Sequence, residues 1–244
     1  MDVLTVPRLL QESSREYVYR FLKTNIMSFY FPPGSALSEK DIAAMLDVSR
    51  TPVREAFIQL SQEDLLEILP QKGTYVSHID LDGVEESKFL REKLEVAIVE
   101  LACENFPSDK LFELQSFIAL QELCLDEKNY AKFYLLDDDI HRTIFEGCKK
   151  ARIWAMMQQL HAHYNRVRLL NIASGHDVAT VLEQHKNLVK AIREQDVALG
   201  RKTIQLHLNK VRLDIHDLIH DYGDYFRQSG ELLSKWTFSG ETKK

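Results

Sequence analysis

One aspartate and three histidines are the side chains in the C-terminal two thirds of the chain that could do chemistry together. Asp137 and His141 are four residues apart, so they lie on one face of a single helix. His185 and His207 lie in two later helical stretches. A carboxylate and three imidazoles form a ligand set that suits a divalent transition metal. An Asp-x-x-x-His pair also occurs by chance in helices, so spacing alone leaves a metal site and an ordinary helix face as open interpretations.

Two arginines in the N-terminal third could read nucleic acid. Arg50 and Arg54 are one helical turn apart, and Thr51 shares their side of the predicted helix. The planar fork of an arginine can donate two hydrogen bonds to O6 and N7 of a guanine in the major groove. A second side of the same helix is apolar and consists of Val53, Ala56 and Leu60, with Phe57 at its margin.

The elements that must position these arginines are predicted from the periodicity of the first 63 residues. Helices are predicted at 9–29, 38–46 and 49–63. Ser38 can cap the second helix, and Asp47 suits a left-handed turn that ends it. Two helices joined by so short a link predict a helix-turn-helix, in which the last helix offers its N-terminal residues to a major groove.

Two short strands are predicted after this helix, at 65–69 and 74–77, with a turn at 70–73 between them. A hairpin that follows a helix-turn-helix is a wing. Its tip places Lys72 and backbone amides near the DNA backbone or the minor groove. From the spacing alone, the competing interpretation is a generic helical bundle with arginines on its surface.

Residues 32–76, PPGSALSEKDIAAMLDVSRTPVREAFIQLSQEDLLEILPQKGTYV, resemble the winged helix-turn-helix of the GntR family of bacterial transcription regulators. The resemblance is carried chiefly by Val48–Ala56 and by the Gly-x-x-Val of the wing. Asp47 and Asp64 stand where the family usually has glycine, and Lys72 stands where arginine is common. The resemblance implies that Arg50 and Arg54 read bases. It also implies that a second group contacts the DNA backbone or groove, namely Lys40, Ser49, Thr51, Gln71, Lys72 and Gly73.

The rest of the chain shows only helical periodicity. Six helical stretches are predicted, at 84–105, 108–127, 129–149, 151–173, 176–195 and 196–222. Helices with such short links predict an antiparallel bundle, so the whole fold is expected to be mostly α. The expected organisation is a DNA-binding domain (1–77), a linker (78–83), a helical domain for effector binding and dimerisation (84–222) and a C-terminal tail (223–244).

This helical part resembles the FCD effector domain of the FadR/VanR-like subfamily. The matching segments are Arg91-x-x-Leu94-Glu95, Asp137-x-x-x-His141-Arg142, Glu183-x-His185-x-x-Leu188 and His207-Leu208, and the six helices look more VanR-like than FadR-like. The resemblance implies that Asp137, His141, His185 and His207 bind zinc or nickel at the floor of a pocket for a small carboxylate. Arg91 is then a candidate clamp for that carboxylate, helped by Arg166 or Arg168. The alternative for each arginine is a surface salt bridge.

The composition supports an expectation of a cytoplasmic protein. The three cysteines are far apart, which indicates reduced thiols, and no apolar run is long enough to span a membrane. The net charge of −6 argues at first against a nucleic-acid partner. Even residues 1–77 hold eight Lys and Arg against ten Asp and Glu. A positive electrostatic potential is therefore expected only on the surface that faces the DNA. Few phosphate contacts predict a shallow salt dependence and weak non-specific binding.

Together these features predict a ligand-responsive transcription regulator rather than an enzyme. A homodimer places two recognition helices on a pseudo-palindromic operator, a double-stranded DNA site. A small organic acid bound at the metal site changes operator affinity through reciprocal coupling. Two alternatives stay open at this point: a pure metal sensor, and a metalloenzyme domain fused to a DNA-binding module.

Overall fold

A computed structural model of the chain describes residues 3–173 and 178–227, apart from the side chains of 173, 210–214 and 216. The fold is mostly helical, as the periodicity predicts. The chain divides into two units, which are described separately below. The first unit is Met1–Asp82 together with Ile219–Lys244, and the second is Gly83–Leu218. Among the described residues, no helix combines the length and the apolar character that a bilayer crossing requires.

The first helix, α1, spans Ser14–Met27 and is shorter than the predicted 9–29. It begins after a capping box: Ser13 Oγ accepts a hydrogen bond from the Glu16 N–H, and the Glu16 carboxylate accepts one from the Ser13 N–H. It ends where Phe29 adopts a left-handed φ of 59°. Apolar residues continue beyond both ends of α1, so the periodicity placed the helix but could not fix its ends.

The next two helices, α2 (Glu39–Leu46) and α3 (Arg50–Gln62), form the predicted helix-turn-helix. Ser38 Oγ accepts a hydrogen bond from the Asp41 N–H, and Asp47 ends α2 with a left-handed φ of 50°. The buried face of α3 consists of Val53, Ala56, Phe57 and Leu60. The expected faces of the third helix are therefore confirmed.

The wing belongs to a three-stranded antiparallel sheet with the order β1-β3-β2, formed by β1 (Ala36–Leu37), β2 (Leu66–Leu69) and β3 (Gly73–Val76). The strand β1 was not predicted, because two residues carry no periodicity. Asp64, which precedes the wing, adopts a left-handed φ of 56°, and its carbonyl accepts a hydrogen bond from Ser77 Oγ. Aspartate here adopts the conformation that glycine usually supplies, at little steric cost.

The beginning of the C-terminal segment also packs in the first unit. A short 3₁₀ turn, Gly223–Tyr225, is followed by Phe226, which is buried and forms a parallel bridge with Ile79. The Tyr225 ring stacks on Phe29 with ring centres 5.4 Å apart. No role was predicted for 223–244, and the structure shows that Phe226 of this segment is buried in the first unit. Residues 228–244 lie outside the described residues.

From Leu81 to Asp221 the described residues form seven helices, not six. They are α4 (Leu81–Glu104), α5 (Ser108–Asp126), α6 (Tyr130–Gly147), α7 (Ala151–Leu160), α8 (Ala162–Ala173), α9 (Val178–Glu194) and α10 (Val197–Asp221). The predicted helix at 151–173 is broken at His161. Ser87 Oγ on α4 donates a hydrogen bond of 2.7 Å to the Leu160 carbonyl, which the break leaves without a helical partner. The six-helix expectation was therefore wrong, because a side chain distant in sequence stabilises this break.

Two apolar clusters hold the second unit together. The larger one takes side chains from six helices, among them Val99, Leu114, Ile140, Met157, Leu188 and Ile204. The smaller one includes Phe133, Tyr134, Ile172, Val181 and Leu182. Both contain residues of α6 that flank Asp137 and His141, so these two polar side chains lie between the clusters. Burial of the apolar surface thus fixes the helices that carry the polar site.

Candidate metal centre and nucleic-acid interface

Three helices bring the four predicted ligands together in the second unit. Helix α6 carries Asp137 and His141, α9 carries His185, and α10 carries His207. All four side chains are buried. Each offers one ligand atom, and these four atoms lie within 4.8 Å of one another. The i, i+4 spacing in α6 places its two side chains on one face, whereas packing of α9 and α10 supplies the other two.

The three imidazoles converge through their Nε2 atoms. His141 Nε2 lies 3.1 Å from His207 Nε2 and 3.6 Å from Asp137 Oδ2. His185 Nε2 lies 3.4 Å from Asp137 Oδ1. Within the described residues, His185 Nε2 is buried and has no hydrogen-bond partner. A buried nitrogen without a partner is costly, so the arrangement fits a cation that takes its lone pair.

The other ring nitrogen of each histidine is held by a side-chain oxygen. His141 Nδ1 lies 2.6 Å from Glu95 Oε2 on α4. His185 Nδ1 lies 2.9 Å from Gln121 Oε1 on α5, and His207 Nδ1 lies 3.1 Å from Gln184 Oε1 on α9. An Nδ1–H that donates to such an oxygen leaves the Nε2 lone pair free to face the centre of the cluster. Partners of this kind fix the orientation of metal-ligating histidines.

No role was predicted for these three partners from the sequence. Glu95 lies four residues after Arg91, and this spacing on α4 was a signal that could have paired them. No comparable signal marks Gln121 or Gln184, because their contacts join helices that are distant in sequence.

The electrostatics of the cluster favour a charged Asp137 beside neutral His185 and His207. Burial opposes ionisation of Asp137, but the charge of the Arg168 guanidinium outweighs it, so the pKa of Asp137 lies well below its usual range. Burial lowers the pKa of His185 to about 4 and depresses the pKa of His207 strongly. At neutral pH the Nε2 atoms of these two histidines are therefore free to act as ligands.

The three arginines suggested for effector binding are buried, so they are not surface salt bridges. Arg91 donates through Nε to Glu95, the same carboxylate that holds His141. Arg168 binds Asp137 through Nη2, and its Nη1 donates to Asp138 at 2.8 Å. Arg166 is also fully buried, and burial lowers its pKa to about 10. Arg168 thus contacts a predicted metal ligand directly, whereas Arg91 reaches one through Glu95.

A small cavity of about 30 Å³ adjoins the cluster. It is lined by Asp137, Tyr164, Arg168, Asn171, Ile172, Val181 and His207. The wall therefore combines one guanidinium and two predicted ligands with apolar side chains, which is the usual composition of a small-molecule pocket.

The predicted DNA-contacting residues all lie in the first unit. Arg50, Thr51 and Arg54 are exposed on α3, with Ser49 at its N-terminal cap position and Lys40 exposed on α2. Arg54 forms two hydrogen bonds of 3.0 Å with the Glu39 carboxylate. Glu39 was not assigned a role from the sequence, and its carboxylate holds the guanidinium fork of Arg54.

The tip of the wing is shaped by two left-handed residues. Gln71 has a φ of 64° and Gly73 a φ of 123°, with Lys72 between them. The Tyr75 hydroxyl donates a hydrogen bond of 3.0 Å to the Lys72 carbonyl, which stabilises the turn. Gln71, Lys72 and Gly73 are all exposed, as a contact with DNA requires.

Comparisons with known proteins agree with both units. The family model "Bacterial regulatory proteins, gntR family" matches residues 14–76, and the FCD domain model matches residues 88–210. The chain is 27% identical over 213 residues to the HTH-type transcriptional repressor RspR of Escherichia coli, covering 87% of this chain and 93% of that one.

It is 31% identical over 206 residues to an HTH-type regulator from an unstable DNA locus of Streptomyces ambofaciens, covering 83% and 85% of the two chains. The structure resembles that of Escherichia coli McbR/YncC with a TM-score of 0.72 at 21% identity, covering 87% of this chain and all of that one (100%). These relatives are named as transcriptional regulators and not as enzymes. The chain is therefore a member of the GntR family of bacterial transcriptional regulators, with an FCD domain behind its helix-turn-helix domain.

Proposed function

We propose that this regulator binds operator DNA as a homodimer and that a small carboxylate, held beside a divalent metal, changes its operator affinity. The observation that carries the proposal is the convergence of four buried ligand atoms within 4.8 Å. The outer partners Glu95, Gln121 and Gln184 support it, because they turn three Nε2 atoms inward. A regulator has little other reason to bury so many polar groups at one point.

Asp137, His141, His185 and His207 would hold the metal, and their nitrogen and oxygen donors suit zinc or nickel. The metal supplies a concentrated positive charge that attracts a carboxylate. Arg168 lies in the wall of the adjoining cavity and binds Asp137, so its guanidinium can pair the incoming carboxylate and orient it. Arg91 acts one contact further out, through Glu95 and His141.

The DNA interface consists of α3 and the wing. Arg50 and Arg54 read guanine edges in the major groove, since both are exposed on α3. The remaining contacts are to the DNA backbone or groove, from Lys40, Ser49, Thr51, Gln71, Lys72 and Gly73. The DNA-binding domain (1–77), linker (78–83), effector domain (84–222) and tail (223–244) remain the proposed functional division of the chain.

Dimerisation uses the helical domain. Helix α5 exposes large apolar side chains at Phe112, Leu120 and Leu123, which helical spacing places on one side. Apolar surface of this kind is typical of a protein–protein contact. A second copy of the chain that covers it gives the two-fold symmetry that a pseudo-palindromic operator requires.

The test uses the full-length protein, stripped with a chelator and reloaded with zinc or nickel. We expect the unfolding temperature to rise on reloading, and to rise again with a small organic acid only when metal is present. The same acid should change affinity for an operator selected from random DNA. An operator affinity that follows free metal alone, with no response to any acid, would show a pure metal sensor instead.

A matched pair of variants tests the ligand set. His185→Ala should lower the metal content measured by elemental analysis, because it removes one of four ligands. His220→Ala is the control, since His220 is exposed and lies outside the cluster. Equal metal content in both variants would remove His185 from the ligand set.

A further inference from the structure

A second group of buried polar atoms lies beside the candidate metal centre and is not used by it. Among the described residues, Arg91 Nη2 and both ring nitrogens of His161 are buried without a hydrogen-bond partner. Arg91 is 1% exposed and His161 is 0% exposed, so bulk solvent does not pair with these side chains. Buried donors are nearly always paired in folded proteins, so these atoms point to a ligand group that the protein itself does not supply.

Both side chains pack against the same residue, Tyr164. The Arg91 guanidinium carbon lies 5.0 Å from the centre of the Tyr164 ring, and the His161 ring centre lies 5.9 Å from it. Tyr164 also lines the small cavity that reaches Asp137 and His207. Tyr164 is thus shared between the unpaired atoms and the wall of the proposed carboxylate pocket.

The break between α7 and α8 positions His161 there. The hydrogen bond from Ser87 to the Leu160 carbonyl ties α4 to the end of α7. Arg91 is one turn after Ser87 on α4, and His161 is the residue of the break itself. On its other side Arg91 is held by Glu95, which also binds His141. One carboxylate therefore separates Arg91 from the predicted ligand His141.

We propose that Arg91 and His161 form a second subsite and that the effector is a short dicarboxylate, with one carboxylate at the metal centre and the other at this subsite. The inference rests on the proposed function and names the chemical class of its ligand. Arg91 Nη2 and one ring N–H of His161 both donate, so the group that pairs with them is an acceptor, and the charge of Arg91 favours an anionic one. Burial, followed by the charge of Arg91, lowers the pKa of His161 to about 3, so it offers a neutral N–H at physiological pH.

The experiment compares acids by titration calorimetry on the zinc-loaded, full-length protein. Malonate, succinate and glutarate are the dicarboxylate probes, and acetate, propionate and butyrate are the matched monocarboxylates. We expect the best dicarboxylate to bind about tenfold or more tightly than any monocarboxylate, because it gains charge-assisted hydrogen bonds at a buried site.

Two variants assign that gain to the subsite. His161→Phe keeps the ring and removes both nitrogens, and Arg91→Lys keeps a charge for Glu95 but lacks Nη2. Each should lose most of the dicarboxylate preference, and in His161→Phe the metal content and the monocarboxylate affinity should stay near those of the parent. His163→Phe, two residues on, is the control and should keep the preference. If His161→Phe unfolds at room temperature, Arg91→Lys alone decides the question.

The two possible failures are distinguishable. If the zinc-loaded parent binds mono- and dicarboxylates equally, or if both variants keep the preference, the second subsite is refuted and the proposed function stands. If the zinc-loaded parent binds no carboxylate at all, the proposed function itself is refuted, and this inference falls with it.

Discussion

Gln121→Leu tests whether the outer partners of the histidines support a metal site. Gln121 is fully buried, and its Oε1 lies 2.9 Å from His185 Nδ1. Leucine nearly preserves the volume but removes the oxygen, so the Nδ1–H of His185 is left buried and unpaired. That costs about 1–3 kcal/mol of unfolding free energy in the metal-free protein. The weaker contact of Gln121 Nε2 with the Phe133 carbonyl, 3.4 Å long, adds little.

The effect on metal binding should be of similar size. Removal of an outer partner lowers metal affinity by about 10- to 100-fold, which corresponds to roughly 1.4–2.8 kcal/mol. Metal affinity is measured by competition with a fluorescent chelator, and stability by urea unfolding of the stripped protein. Gln121→Glu should bind metal at least as tightly as the parent, because a carboxylate accepts the same hydrogen bond more strongly.

The control is Gln115→Leu, the same substitution at an exposed position of the same helix. It should leave both metal affinity and stability within experimental scatter of the parent. The reasoning is refuted if Gln121→Leu folds and binds metal as tightly as Gln115→Leu does. In that case the hydrogen bond to His185 Nδ1 serves the core alone and says nothing about a metal.

Three further predictions concern the DNA interface and the buried histidine. Arg54→Ala should reduce the preference for the selected operator over scrambled DNA by roughly tenfold or more, measured by fluorescence anisotropy; an unchanged preference would exclude Arg54 as a base reader. Lys72→Ala should weaken binding to both DNAs alike and reduce the slope of log affinity against log salt by about one, whereas Lys132→Ala, in the other unit, should not. His161→Phe should make the stability of the protein less sensitive to acid: between pH 7 and 5 the parent should lose about 2 kcal/mol more unfolding free energy than the variant. The reason is that His161 protonates near pH 6.5 in the unfolded chain, whereas in the folded protein its pKa is lowered to about 3 and it stays neutral. The unfolded state then binds more protons than the folded state, so stability falls as pH falls in that window. The unfolding free energy is measured by urea unfolding at each pH, and an equal loss in parent and variant would contradict the prediction.

Local signals in the sequence determined the helix-turn-helix in detail. The faces of α3 follow from the period of a single helix, and the capping by Ser38 needs only residues within one turn. Asp47 shows that turn chemistry is also local, because its left-handed conformation follows from the tight link between two helices. In the second unit, the spacing of Asp137 and His141 is equally local. The addition of His185 and His207 rested on the resemblance to the FCD domain, since no spacing joins residues so far apart.

Only the tertiary structure decided the contacts between distant segments. The break at His161 depends on Ser87, and the strand β1 exists because β3 pairs with it. The outer partners of the histidines come from α4, α5 and α9, and Arg91 turned out to hold Glu95 rather than to lie on the surface. The sequence by itself determined which residue types could bind a metal or read a base, because those depend on chemistry and on spacing within a turn. Which of them meet, and which oxygen turns each imidazole inward, was decided by packing of apolar helix faces, which brings together side chains that the sequence separates by dozens of residues.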